Sequence, residues 1–188
     1  MNKQRMMKLA GLLNESVIKE ASGLSSSNLN ALIKYFNDVK KYTTIVCDKT
    51  LAAISSAKSN RSDALDTISY AFERPALNLT NIDSSFEDWF EYWINTEFNE
   101  DKFKSSQLNS YAKYFQDLKK QMINICDKTI LALQKLKSKG KNASGSDIDL
   151  PESVFKPLAL KLTNLDSSFE RWYEYCVNGD NIFATLYN

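Results

Sequence analysis

Residues 26–93 of this 188-residue chain are written twice. Ser26-Ser27-Asn28-Leu29-Asn30, Tyr35-Phe36-Asn37-Asp38 and Cys47-Asp48-Lys49-Thr50 return 79 positions later as Ser105-Ser106-Gln107-Leu108-Asn109, Tyr114-Phe115-Gln116-Asp117 and Cys126-Asp127-Lys128-Thr129. The block Leu79-Thr80-Asn81-Ile82-Asp83-Ser84-Ser85-Phe86-Glu87 returns 83 positions later, from Leu162 to Glu170. A unit repeated in tandem buries its apolar face against its copy. The expected architecture is therefore two copies of one supersecondary unit about a pseudo-twofold axis.

The periodicity inside each copy is helical. Leu29, Leu32, Phe36, Val39, Thr43, Val46, Thr50 and Ile54 fall at alternating three- and four-residue steps. Leu108, Tyr111, Phe115, Leu118, Met122, Ile125, Thr129 and Leu133 repeat the stripe, which predicts one long amphipathic helix per half. Ser25 to Ser27 and Ser105 to Ser106 are the N-cap candidates. A second recurrent helix opens at Asp83 and Asp166, where Ser84 with Glu87 and Ser167 with Glu170 have capping-box spacing. Asp63–Pro75 and Pro151–Pro157 are expected to hold short helices that the prolines break. Gly140 to Asp147 reads as a flexible polar loop, residues 94–104 as the linker between copies, and Ile182, Phe183, Leu186 and Tyr187 as a docked tail. The fold class is then all-α: two helical-hairpin units, 25–100 and 101–188, packed as one four-helix-bundle-like domain with short extra helices, preceded by a separate N-terminal helix within 1–24.

Composition narrows the chemistry. The chain has no histidine, so no Ser-His-Asp or Cys-His nucleophile and no histidine metal site can form. Neither an enzyme nor a cofactor is expected. The formal net charge is +1, which gives no global attraction to nucleic acid. No apolar run is long enough to span a membrane, and Met6 to Leu13 is too short and broken for a secretory signal core. Three cysteines without a CxxC spacing suit a reducing compartment, and Cys47 and Cys126 read as small buried apolar residues.

Several side-chain groupings have both a chemical and a structural reading. Phe86, Trp89, Phe90 and Trp93, with Phe169, Trp172, Tyr173 and Cys176, form aromatic stripes at helical spacing; such stripes are more often core than surface. The alternative is an interaction surface at Trp89, Trp93, Trp172 and Tyr173. Glu87, Glu91, Glu170 and Glu174 flank those stripes and read as a solvated edge rather than a metal pair. Asp38 with Lys41 and Asp117 with Lys120 read as surface pairs, and Lys135 to Lys141 as a basic helix end. Divergent positions (Trp93 against Cys176, Asp88 against Arg171) are where one partner would tell the halves apart.

The first 21 residues differ in kind. Lys3, Arg5, Lys8 and Lys19 accompany an apolar face of Met6, Leu9, Leu12, Leu13 and Val17, followed by the small-residue hinge Ala21-Ser22-Gly23. Such a segment suits a partner's groove or a membrane surface. Ile18-Lys19-Glu20 before Ala21 resembles the cleavage motif of prohead proteases of T-even-like tailed phages. Leu9-Ala10-Gly11-Leu12 and Asn14-Glu15-Ser16 resemble leader segments of phage proteins. The resemblance implies a capsid-targeting peptide on an internal head protein, with Ile18, Glu20 and Ala21 as protease recognition positions. It also implies a capsid or scaffold partner, or a host protein met after delivery, and a location in the head interior or the host cytoplasm. The second reading is a phage structural protein whose uncleaved N-terminal helix mediates assembly. Removing residues 1–20 leaves 20 basic and 21 acidic residues, unlike a protein that rides on DNA through charge.

Overall fold

The computed structural model describes residues 25–59, 63–99, 103–178 and 182–187, and these form an all-α bundle with no strand among them. The first half contains α1 (Ser26–Ser59), α2 (Ala64–Ile82), a 3-10 turn (Ser84–Phe86), α3 (Glu87–Tyr92) and a π turn (Trp93–Glu97). The second contains a 3-10 turn (Ser105–Gln107), α4 (Leu108–Lys139), another (Gly140–Asn142), α5 (Gly145–Leu165), a third (Ser167–Phe169), α6 (Glu170–Val177) and a C-terminal 3-10 helix (Ile182–Tyr187).

Every residue of the two long stripes is buried, including the mid-helix threonines. Thr50 and Thr129 donate their hydroxyls to the Val46 and Ile125 carbonyls at 2.8 Å, so their burial leaves no unmet donor. Ser25 Oγ accepts the Asn28 N–H at 3.3 Å and caps α1, as its position suggested. Ser105 and Ser106 do not cap α4; they lie within the 3-10 turn that precedes it.

Helices α1 and α4 run antiparallel against each other. Lys40 meets Asp127 and Lys119 meets Asp48, each at 2.6 Å, and the two contacts exchange under the repeat. Asp38 pairs with Lys34 at 2.5 Å rather than with Lys41. Helix α2 packs on α1 and α5 on α4. Each also reaches the opposite long helix through one phenylalanine: Phe72 contacts Phe115 at 5.9 Å, and Phe155 contacts Phe36 at 5.7 Å.

The expectation of short, proline-broken connecting helices is corrected. Helix α2 continues through Pro75, and α5 through Pro151 and Pro157. An interior proline costs roughly 3 kcal/mol. On either side of Pro75, however, Ile68 and Phe72, then Ala76 and Leu79, are fully buried in one helical phase. Each large buried side chain contributes about 1.5–3 kcal/mol, enough to hold the helix across one missing N–H. The loop expected through Asp147 is also ordered. Gly140 closes α4 at φ +50, and Ser144 with Asp147 forms a capping box that starts α5 at Gly145.

The repeat extends further than its spelling. Phe98, after the π turn, stacks on Phe115 at 6.4 Å and meets Phe72 at 5.3 Å. Phe183 does the same with Phe36 at 5.9 Å and Phe155 at 5.5 Å. The two phenylalanines are structural counterparts, reached by chain paths of unequal length. The tail expectation holds for Ile182, Phe183 and Leu186, all buried.

Candidate functional site

The two halves are clasped by a pair of exchanged polar relays. Asp83 follows α2 in extended conformation and accepts the Ser85 N–H at 2.9 Å, while Asp166 accepts the Ser168 N–H at 3.0 Å. These aspartates cap the aromatic segments, not Ser84 and Ser167 as the capping-box spacing suggested. A carboxylate two residues before the free N–H forms this turn without needing Glu87 or Glu170. Each aspartate also accepts a tyrosine hydroxyl, Tyr35 on Asp83 and Tyr114 on Asp166. Each tyrosine oxygen in turn accepts an indole N–H from the other half. Trp172 donates to Tyr35 at 2.9 Å; Trp89 donates to Tyr114 at 2.9 Å and Trp93 at 3.3 Å.

Burial first, then nearby negative groups including Asp83 and Asp166, push both tyrosines well above the ordinary phenol range. Each hydroxyl proton is committed to a carboxylate and each oxygen to an indole. The relays lock the halves together rather than carry a proton.

Where the relays reach the surface they border two grooves. The larger, of about 690 Å³, has carboxylates Asp88, Glu97, Asp166 and Glu170 and aromatic walls from Tyr92, Trp93, Tyr111 and Tyr114. The smaller, of about 330 Å³, is lined by Asp83, Ser84, Ser85, Arg171 and Tyr175. They correspond under the repeat: Asp166 to Asp83, Tyr92 to Tyr175 and Asp88 to Arg171. At the boundary Arg171 Nη1 lies 3.2 Å from Asp88 and 3.6 Å from Glu87. Tyr92 donates its hydroxyl to Glu97 at 2.8 Å. That bond first, then burial, pushes Tyr92 up to about 12.

Trp89, Trp93 and Trp172, the alternative interaction surface, are 0%, 3% and 0% exposed. This is a correction: they are core residues whose indoles serve the relays. Tyr173 is half-buried against the core. Ile18, Glu20 and Ala21 lie outside the described residues. Among the described residues no three of His, Cys, Asp or Glu are grouped to hold a metal ion, and no helix is long and apolar enough to cross a membrane. Cys47, Cys126 and Cys176 are free and buried, and burial raises all three thiols, Cys47 to about 12. In the basic helix end, Lys137 bonds Asn30 at 2.7 Å and Lys139 pairs with Asp147, so two of its charges are used inside the fold.

No family model matches this chain, and neither a curated protein nor a solved structure matches it. The sequence reading missed Glu97 and Tyr92 as surface features. The available signal was divergence between the copies, because Asp88 opposite Arg171 marks where the grooves meet.

Proposed function

We propose that this chain is a non-enzymatic virion protein of a tailed phage. Residues 1–20 carry it into the assembling head and are removed between Glu20 and Ala21. The helical repeat then binds a protein partner of the capsid or the host. The observation that carries the reading is where the leader-like sequence stops relative to the fold. Ser25 Oγ caps α1, and the first core residue among those described is Leu29. A cut between Glu20 and Ala21 lies on the N-terminal side of the Ser25 cap and leaves α1 (Ser26–Ser59) whole. The lack of histidine and the commitment of both buried tyrosine hydroxyls support a binding role over a catalytic one.

Incubation of the full chain with the prohead protease of the same phage, followed by intact-mass measurement, tests this. One product beginning at Ala21 is expected, with its melting temperature close to that of the uncut chain, and Glu20→Ala should remain intact. A wild-type chain left uncut, or a Glu20→Ala chain cut at the same bond, ends the reading.

A further inference from the structure

The near-zero net charge of the chain conceals a separation of charge across the fold. Helices α1 and α4 together hold twelve lysines and four aspartates, with no glutamate and no arginine in either. The aromatic segments 83–97 and 166–177 have the opposite balance, eight carboxylates against Arg171. Both long helices turn their buried sides toward those segments, where Trp93 meets Phe115 at 4.7 Å and Trp172 bonds Tyr35. Lys34, Lys41 and Lys49 stand about half a turn from the α1 stripe and are exposed. Lys113, Lys120 and Lys128 repeat them on α4. The outer face of the α1–α4 pair is therefore basic. The exposed carboxylates Glu87, Asp88, Glu91, Glu170 and Glu174 lie across the bundle from it.

Ion pairs do not cancel the excess. Asp38, Asp48 and Asp127 bind Lys34, Lys119 and Lys40. Lys41, Lys49, Lys113, Lys120, Lys128 and Lys135 are exposed and have no ion pair among the described residues. A helix face kept only for solubility mixes glutamate with lysine, because both suit a helix and pair at i, i+4. Here lysine alone is used, and three of the outer positions are lysine in both copies.

We propose that the outer face of α1 and α4 docks on the sugar–phosphate backbone of double-stranded DNA, with the unpaired lysines meeting phosphates. The proposal goes beyond the partner-binding reading above and does not depend on leader cleavage, so the two fail separately.

Charge complementarity argues for the occupant, and the rest of the face selects its form. Lysines on each helix follow at seven- and eight-residue steps, about 11–12 Å apart, in rows separated by roughly 8–10 Å. Two straight rows of point charges suit a stiff duplex, which carries one phosphate charge per about 1.7 Å of axis. Lysine neutralises phosphate without the bidentate fork by which arginine reads guanine, so the contact follows the backbone and not the bases. A single strand would need exposed rings to stack its bases, and Tyr42 on this face is half-buried beneath Lys41 at 5.1 Å. An anionic membrane would need apolar side chains to insert. Among the described residues of α1 and α4, Leu131 is the one large apolar side chain that is exposed.

The test is a titration of the full chain into a fluorescent DNA duplex of about 30 base pairs, read by anisotropy at several salt concentrations. Micromolar binding at low salt is expected, indifferent to base sequence, with a slope of log affinity against log salt of about −4. Lys41→Gln with Lys120→Gln, and Lys49→Gln with Lys128→Gln, should each reduce that slope by about two and weaken binding roughly tenfold. Arginine at the same four positions keeps the charge and should bind as the wild type does. Lys156→Gln with Lys161→Gln, on α5, should leave the slope unchanged. Binding that survives both glutamine pairs would place the contact elsewhere and overturn the proposal. Equal affinity for a single strand of the same length, for polyglutamate or for phosphatidylserine vesicles would overturn it as well.

Discussion

The two halves repeat the contacts that join them and differ in sign at one pair, Asp88 and Arg171, where they meet at the surface. Lys40–Asp127 and Lys119–Asp48 are the same contact made twice, as are the Tyr35 and Tyr114 relays. A residue used in an exchanged contact must serve its partner in both copies, so changing it in one half breaks a pairing. Residues on the axis obey a different rule, because each meets its own counterpart. Phe86 and Phe169 do so at 6.1 Å and have stayed alike. Asp88 and Arg171 also meet, and there identity would place like charges together in a two-fold pair. Covalent duplication removes the requirement for identity, and this pair has used that freedom to become an ion pair. The difference teaches which positions covalent duplication set free: those that meet their own counterparts.

The largest test of equivalence is at the axis. Phe86→Ala and Phe169→Ala each remove a side chain with 0% and 1% exposure, and each should cost about 3–5 kcal/mol in urea unfolding. Costs that differ by more than half would show that the two copies do not share the core equally.

Next come the relays. Tyr35→Phe leaves Asp83 and the Trp172 indole short of a partner, whereas Tyr114→Phe strands Asp166 and the indoles of both Trp89 and Trp93. At about 1–3 kcal/mol for each unmet buried group, Tyr114→Phe should be the more damaging. The relays also set an alkaline limit. Both tyrosines have raised pKa values when folded, so the folded chain keeps protons that the unfolded chain gives up. Their contribution is complete below about pH 10 and declines as pH rises beyond it, and Tyr114→Phe should flatten that decline.

Smaller effects sharpen the surface contrast. Asp88→Arg should lower stability by about 0.5–1 kcal/mol in low salt, and adding Arg171→Asp should restore it, because the swap rebuilds the pair in reverse. Finally, α5 opens on the Ser144–Asp147 box, whereas Asp63 before α2 makes no side-chain cap bond among the described residues. A hydrogen bond from Lys139 first, then bonds from Ser144, lowers Asp147 to about 2. Its support for α5 is present above about pH 4 and is lost as pH falls through 2. Protection of the Gly145 to Ile148 amides, taken relative to the intrinsic exchange rate at each pH, should therefore fall on acidification, with no matching change at Ala64 to Thr67.

The helices, the buried stripes and the docking of Ile182, Phe183 and Leu186 were legible because each is a local pattern read at 3.6 residues per turn. Pro75 and Pro157 misled because the proline rule is also local, while the burial that overrides it comes from another helix. The caps were misplaced by one residue, since Ser84-x-x-Glu87 matches a motif that Asp83 pre-empts. Cross-half partners were not legible at all. Nothing in Lys40 or Asp127 alone distinguishes an exchanged ion pair from ordinary surface charge. Tyr35, Asp83 and Trp172 lie on three separate elements, and only the fold brings them together. Glu97 escaped notice because a π turn has no periodicity signature in five residues.

The central claim is that a removable leader delivers a self-contained repeat. Intact-mass measurement of this chain recovered from purified phage particles tests it most directly. The account predicts a chain beginning at Ala21 inside the particle; a full-length chain there, or none at all, would contradict it.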